Sequence, residues 1–207
     1  MKDCGIDKLR GRTAGVIQTE SCRRSAVCVP LISEETTDSP LLLFEVRSSK
    51  IKTQPGDVCF PGGHMEEGET AEETAIRETC EELLLKIGQI RPVCPLDVFC
   101  DGCMMISPVL ARLEAYRGTY SSQEVSEVFT VPLSWFMDHE PERHTLELVH
   151  LKSETFPYEL INGGENYHFR RRFDDELFYR CKSTDGRDRI IWGLTARIIK
   201  SLTDTLK

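Results

Sequence analysis

The chain has 207 residues, of which 40% are hydrophobic and 29% charged, so it can bury a substantial core and fold as one soluble globular domain. A formal net charge of −8 excludes general nucleic-acid binding, which needs a basic footprint, though not a small anionic substrate. No apolar run reaches the ~18 residues of a membrane span, and the N-terminal arginines are mixed with Asp3, Asp7 and Glu20, unlike a transit peptide. The terminal Asp204-Thr205-Leu206-Lys207 is not a peroxisomal signal, so cytoplasm is the expected location. Nine cysteines at irregular spacings make a poor disulfide framework and read as reduced.

Residues 1–24 read as a polar lead-in, and the core as residues 25–199. Ser25 to Ile32 and Leu41 to Val46 are rich in β-branched and aliphatic residues and predict buried strands, separated by a polar loop. Ser48 to Asp57 is polar and basic with a turn at Pro55-Gly56, and Asp57 to Phe60 predicts a short strand. Thr70 followed three residues later by Glu73 is a capping-box signature, so a helix starts there. Ala75, Ile76, Thr79, Cys80, Leu83 and Leu84 give it one apolar face, and Gly88 is its expected terminator. Val93 to Cys100 and Met104 to Leu113 predict strands joined by a hairpin at Asp101-Gly102, with a loop from Glu114 to Ser126. Glu127 to Val131 and Thr145 to Lys152 predict further strands, with a short helix from Pro132 to Met137 between them. Phe156 to Lys182, with its Arg170-Arg171-Arg172 triplet, resists assignment. A strand from Arg189 to Trp192 and a helix from Gly193 to Leu206 close the chain. The balance is a mixed sheet with helices packed on it.

The stretch from Gly62 to Glu82 holds eight glutamates against one arginine. Glu72 and Glu73 suit the positive end of the helix dipole. Glu78, Glu81 and Glu82 do not: they cluster toward the negative end, and Glu78 and Glu82 repel at i, i+4 by roughly 0.2–0.5 kcal/mol. A hard divalent ion would relieve that repulsion, and a solvated helix face is the alternative. Cys100-Asp101-Gly102-Cys103 is a lone CxxC with only Cys94 close by, which fits a loop between strands better than zinc or a redox pair.

In this register the acidic stretch resembles the Nudix box, G-x5-E-x7-R-E-U-x-E-E-x-G-U, with Gly63, Glu69, Arg77, Glu78, Glu81, Glu82 and Leu85 on the pattern. Thr79 and Leu84 depart from it, and Leu84 in place of the box glycine suggests a helix running on toward Gly88. Upstream, Leu43, Arg47, Ser48, Gly56, Phe60, Pro61, Gly62 and Gly63 are similar to the motif L-L-T-x-R-[SA]-x3-R-x3-G-x3-F-P-G-G of the coenzyme A diphosphatase branch. Here Phe44, Glu45 and Lys52 depart; lysine lacks the planar fork that grips phosphate in two places. Glu124-Val125 through Leu133 and Ile191 to Ala196 also look like this branch.

The resemblance implies an α/β (α+β) fold, the Nudix-type α/β/α sandwich around a mixed β-sheet, and hydrolysis of a nucleoside diphosphate linked to another moiety. For the coenzyme A branch the products are 3′,5′-ADP and 4′-phosphopantetheine. It implies Mg2+ or Mn2+ as cofactor, held by Glu78, Glu81, Glu82 and the Gly63 carbonyl, with Glu78, Glu81 or Glu124 as the acid acting on water and Glu127 a further candidate. Glu69 and Arg77 are implied to pair as a structural brace, and Arg47, Lys50 and Lys52 to meet the substrate's phosphates. His64 is expected to face solvent, and Trp135 and Trp192 to pack. A substrate such as ADP-ribose or NADH is the second reading, favoured by Glu45 and Lys52. A catalytically silent ligand-binding domain is the third. The expected partner is coenzyme A or a derivative, with no nucleic acid and no membrane, in a monomer or homodimer.

Overall fold

A computed structural model describes residues 22–33, 39–101, 103–149, 153–169 and 172–207. Its centre is a parallel pair, β1 (Arg23–Ile32) and β7 (Met104–Leu113), joined over nine residues from Arg23↔Met104 to Leu31↔Arg112. On one side β2 (Leu41–Arg47) continues from β1, followed by β3 (Val58–Cys59), while β8 (Val125–Pro132) runs antiparallel along β2. On the other side β5 (Ile90–Pro95) and β6 (Phe99–Cys100) pair with β7, and β4 (Gly62–His64) returns onto β1. A second, antiparallel sheet is ordered β11 (Asp188–Trp192), β10 (Arg172–Lys182), β9 (Glu142–Leu148).

Side chains alternate across a strand, so the central sheet has two apolar faces. Ala26, Cys28, Leu43, Val109 and Ala111 pack on one face against Ala75 and Leu83 of helix α1 (Ala71–Leu83). Val29, Leu31, Leu42, Phe44, Phe129 and Val131 point the other way. There they meet Phe136 of α2 (Leu133–Asp138), Leu177 and Tyr179 of β10, and Ile199 and Leu202 of α3 (Gly193–Leu206). The layers are helix, mixed sheet, then helices and the small sheet, the sandwich that the family resemblance implies. No helix among the described residues is long and apolar enough to cross a membrane.

Several boundaries differ from the sequence reading. Helix α1 stops at Leu83, because Leu84 adopts the left-handed conformation (φ 54°) and the Leu85 N–H turns back to the Cys80 carbonyl. Gly88 lies beyond, inside a 3-10 turn. The strand expected from Val93 to Cys100 is two strands, β5 and β6, and the strand expected from Thr145 is shifted to Glu142–Leu148. Asp101 does turn the chain: its Oδ1 accepts the N–H groups of Cys103 and Met104, both at 2.8 Å. The segment from Phe156 to Lys182 contains β10, the longest strand among the described residues, which opens on Arg172; Arg170 and Arg171 lie outside the described residues, as does the lead-in up to Ser21.

Candidate functional site

The site begins where the chain crosses β1. The Pro61 carbonyl accepts the Cys28 N–H at 2.8 Å, and β4 then lies against Ala26 and Val27. A Cβ on Gly62 would collide with the Ala26 carbonyl and the Val27 backbone, so only glycine allows this approach. The chain next swings through an acidic loop into α1, which opens on the predicted capping box: Glu73 N–H to Thr70 Oγ1 at 3.2 Å, and Thr70 N–H to Glu73 Oε2 at 2.9 Å.

Arg77 fastens that loop to the helix. Its Nε and Nη2 meet the two oxygens of Glu69 at 2.7 and 3.0 Å, Nη2 also donates to the His64 carbonyl, and Nη1 donates to Glu78 Oε1 at 2.8 Å. Glu69 further accepts the Glu66 N–H and the Thr74 hydroxyl. The Arg77 hydrogen bonds, with these two, hold the Glu69 carboxyl down at about 2.

The box carboxylates take three different positions. Glu82 is 5% exposed and accepts the Gly62 N–H at 2.8 Å. Glu78 is half-buried and pressed against Gly63, where a Cβ would fall closer than 3.0 Å to its carboxylate. Glu81 is exposed, 3.8 Å from the Arg77 guanidinium. Burial first, and then the charge of Glu45, pushes the Glu82 carboxyl well above the ordinary carboxylate range.

Glu45 is the residue that sequence reasoning did not place in the site. It follows Leu43 on the α1 face of β2 and is 1% exposed. Cys59, its partner across β3, donates its thiol to Oε1 at 3.3 Å. Burial raises the Glu45 carboxyl, the Cys59 hydrogen bond and Arg47 oppose the rise, and Glu124 and Glu78 add to it. The signal was available: a carboxylate in Leu-Leu-Leu-Phe-Glu-Val, at the period-2 position of an inward leucine, points inward too.

Glu124 arrives from a loop tied to the end of α1. Ser121 N–H and Thr119 Oγ1 donate to the Glu82 and Leu83 carbonyls, both at 2.7 Å, which satisfies helix-end acceptors otherwise left open. The Glu124 carbonyl accepts the Ser48 N–H at 2.8 Å, and its carboxylate charge reaches both Glu45 and Glu82. Glu127 is held elsewhere, by Arg189 at 2.7 Å and Arg187 at 2.6 Å. The basic strip edges the same region: Arg47 Nε donates to the Thr53 carbonyl, Lys50 Nζ to the Ser122 carbonyl at 3.3 Å, and Lys52 is exposed. Beyond Glu45 on this face lies a cleft of about 310 Å³ lined by Leu43, Tyr116, Arg117, Val128, Thr130 and Asp185.

The donor set is oxygen-only and anionic, with one buried carboxylate oxygen, Glu45 Oε2, that finds no hydrogen-bond partner among the described residues. That chemistry fits a hard divalent cation. The carboxylates stand on protein donors rather than drawn together, and no group of three or more described His, Cys, Asp or Glu forms a ready ligand cage. Cys100 and Cys103 are free and exposed, and Cys22 comes within electrostatic reach of them, a neighbour that sequence spacing does not reveal. His64 is exposed, Trp135 stacks on His139, and Trp192 stacks on Phe178.

Residues 23–151 match the model of the NUDIX domain. The chain belongs to the Nudix family. Among curated Nudix relatives it is 37% identical over 120 residues to mouse peroxisomal coenzyme A diphosphatase NUDT7, covering 56% of this chain and 50% of that protein. It is 35% identical over 132 residues to human mitochondrial coenzyme A diphosphatase NUDT8, covering 58% and 53%. Arabidopsis Nudix hydrolase 15, mitochondrial, is 32% identical over 182 residues, covering 86% of this chain and 56% of that one. The chain thus spans about half the length of these Nudix relatives. A solved MutT/nudix family protein from Enterococcus faecalis shares the fold with a TM-score of 0.51 at 16% identity, over 99% of this chain and 70% of that one.

Proposed function

We propose that this Nudix protein is a divalent-cation-dependent hydrolase that cleaves the diphosphate of coenzyme A or a derivative, giving 3′,5′-ADP and 4′-phosphopantetheine or its acyl form. The observation that carries the reading is the convergence of Glu78 and Glu82 at Gly62-Gly63, with Arg47 and Lys50 at the rim. Glu78, Glu81, Glu82 and the Gly63 carbonyl would hold Mg2+ or Mn2+. When bound, such an ion neutralises phosphate oxygens and acidifies a coordinated water. Glu124, exposed beside the buried acids, is assigned to orient the attacking water and take its proton on a carboxylate oxygen. A new water-oxygen bond to phosphorus forms as the bridging P–O bond breaks. Arg47, Lys50 and Lys52 are assigned to the substrate's phosphate charge, and the cleft beside Leu43 and Tyr116 to the part of the substrate beyond the diphosphate.

Incubation with coenzyme A and Mg2+, with products separated and weighed by mass spectrometry, should yield 3′,5′-ADP and 4′-phosphopantetheine. Cleavage of ADP-ribose or NADH with coenzyme A untouched would overturn the substrate and leave the diphosphatase reading. Glu45 and Lys52, the two departures from the branch motif, favour that second substrate class. No cleavage of any of these with Mg2+ or Mn2+ would overturn both.

A further inference from the structure

We propose that Glu45 is a further carboxylate of the cation site, an oxygen ligand supplied from the sheet that faces the ligands supplied from α1. This rests on the cation-dependent reading above and goes beyond it, because the branch motif that this chain resembles has a threonine at that position.

Three observations carry the assignment. Glu45 is 1% exposed, and its Oε2 finds no hydrogen-bond partner among the described residues. A buried ionised carboxylate without a compensating charge or donor is costly, so the group keeps its proton until a cation arrives to stabilise the charged form. The neighbours do not supply that stabilisation: Cys59 offers only a weak thiol donor, and the Arg47 guanidinium spends Nε on the Thr53 carbonyl. The surroundings are instead anionic, with Glu82, Glu78 and Glu124 all within electrostatic reach of Glu45. Glu45 is contacted by Cys59 and Glu82 by the N–H of Gly62, so a strand carboxylate and a helix carboxylate both stand on the short Cys59–Gly62 stretch, oxygen donors of the kind a hard cation takes.

The test is Mn2+ binding by the full chain, read by calorimetry and by the electron paramagnetic resonance signal of free Mn2+. Glu45→Gln keeps the shape and Glu45→Thr installs the branch residue, so two variants guard against one failing to fold; Glu82→Gln is the reference. The expected result is that wild type binds Mn2+, that both Glu45 variants stay folded by circular dichroism, and that their affinity falls about tenfold or more. An unchanged Kd in a folded Glu45 variant, with affinity lost in E82Q, overturns this inference and leaves the cation-dependent function standing. A wild-type chain that binds no Mn2+ overturns both. Crystals soaked in Mn2+ give a second readout independent of any variant. An anomalous peak at coordinating distance from a Glu45 oxygen supports the assignment, and one held by the α1 glutamates alone overturns it.

Discussion

Gly63 has no side chain to spare, because the Glu78 carboxylate fills the space a Cβ would need. In Gly63→Ala the obstacle is the end of a flexible side chain, so the fold survives while Glu78 is displaced and its bond to Arg77 loosened. A shift of about 1 Å at a reacting centre costs roughly 10²-fold. The expected outcome is a kcat/KM for diphosphate cleavage lowered about a hundredfold, with the circular dichroism spectrum unchanged; near-wild-type turnover would show that Glu78 need not stand where it does. At this scale the sequence was informative wherever helical spacing tied residues together. The Arg77–Glu69 pair that the box register implies is made in the structure, the planar fork of the arginine meeting both carboxylate oxygens. Thr79, at an apolar box position, settles its hydroxyl on the Ala75 carbonyl at 2.6 Å. Glu45 escaped because its neighbours in the site come from chain segments 14 and 37 residues away, at Cys59 and Glu82, and no local spacing connects them.

Among the elements, α1 shows how one end of a helix can be legible and the other not. Its start is written in Thr70 and Glu73, a local chemical signature. Its end depends on Leu84 entering the left-handed region, which a leucine disfavours by about 1–2 kcal/mol and which nothing in the residue type announces. The carbonyls of Glu82 and Leu83 are met by Ser121 and Thr119, donors the sequence keeps far away. Leu84 is 59% exposed, so replacing it forfeits little burial. Leu84→Gly is therefore expected to stabilise the fold by about 1 kcal/mol, or roughly 2–4 °C in Tm, read by calorimetry with the catalytic rate unchanged. A lower Tm would mean that the left-handed turn is not strained here. Strand β10 was illegible for a different reason. Asp174, Asp175 and Glu176 are poor strand formers, and only the alternation of Leu177, Tyr179 and Cys181 against the core marks it.

On the scale of the whole molecule, the sheet buries apolar side chains on both faces, and the α1 face is interrupted by carboxylates at one end. Stability in the metal-free protein should register that interruption as a pH dependence of known sign. Glu45 and Glu82 have carboxyl groups raised above the ordinary 4.5, by burial first; the charge of Glu45 adds to the rise at Glu82, and Glu78 and Glu124 raise both. Cys59 and Arg47 at Glu45, and the Gly62 N–H at Glu82, oppose the rise without cancelling it. The folded state therefore keeps protons that the unfolded chain releases, and the stabilisation is complete below 4.5 and lost as pH climbs through the raised values. The slope is at most about 1.4 kcal/mol per pH unit for each proton retained. Other displaced groups leave the window clear from about one pH unit above 4.5, where the unfolded chain has released the protons of its ordinary glutamates. Glu69, Glu73, Glu127, Glu140 and Glu142 are held below 4.5 and act only in acid, while the buried thiols of Cys28 and Cys59 are raised from 9.0 and act only in base. In EDTA the Tm is expected to fall as pH rises from about 5.5 through neutrality. Saturating Mg2+ should flatten that fall, because an ion between the carboxylates favours their charged forms in the folded state. A metal-free Tm that stays level or rises over the same interval would mean that the carboxylates of Glu45 and Glu82 are solvated, and the buried acidic site would have to be redrawn.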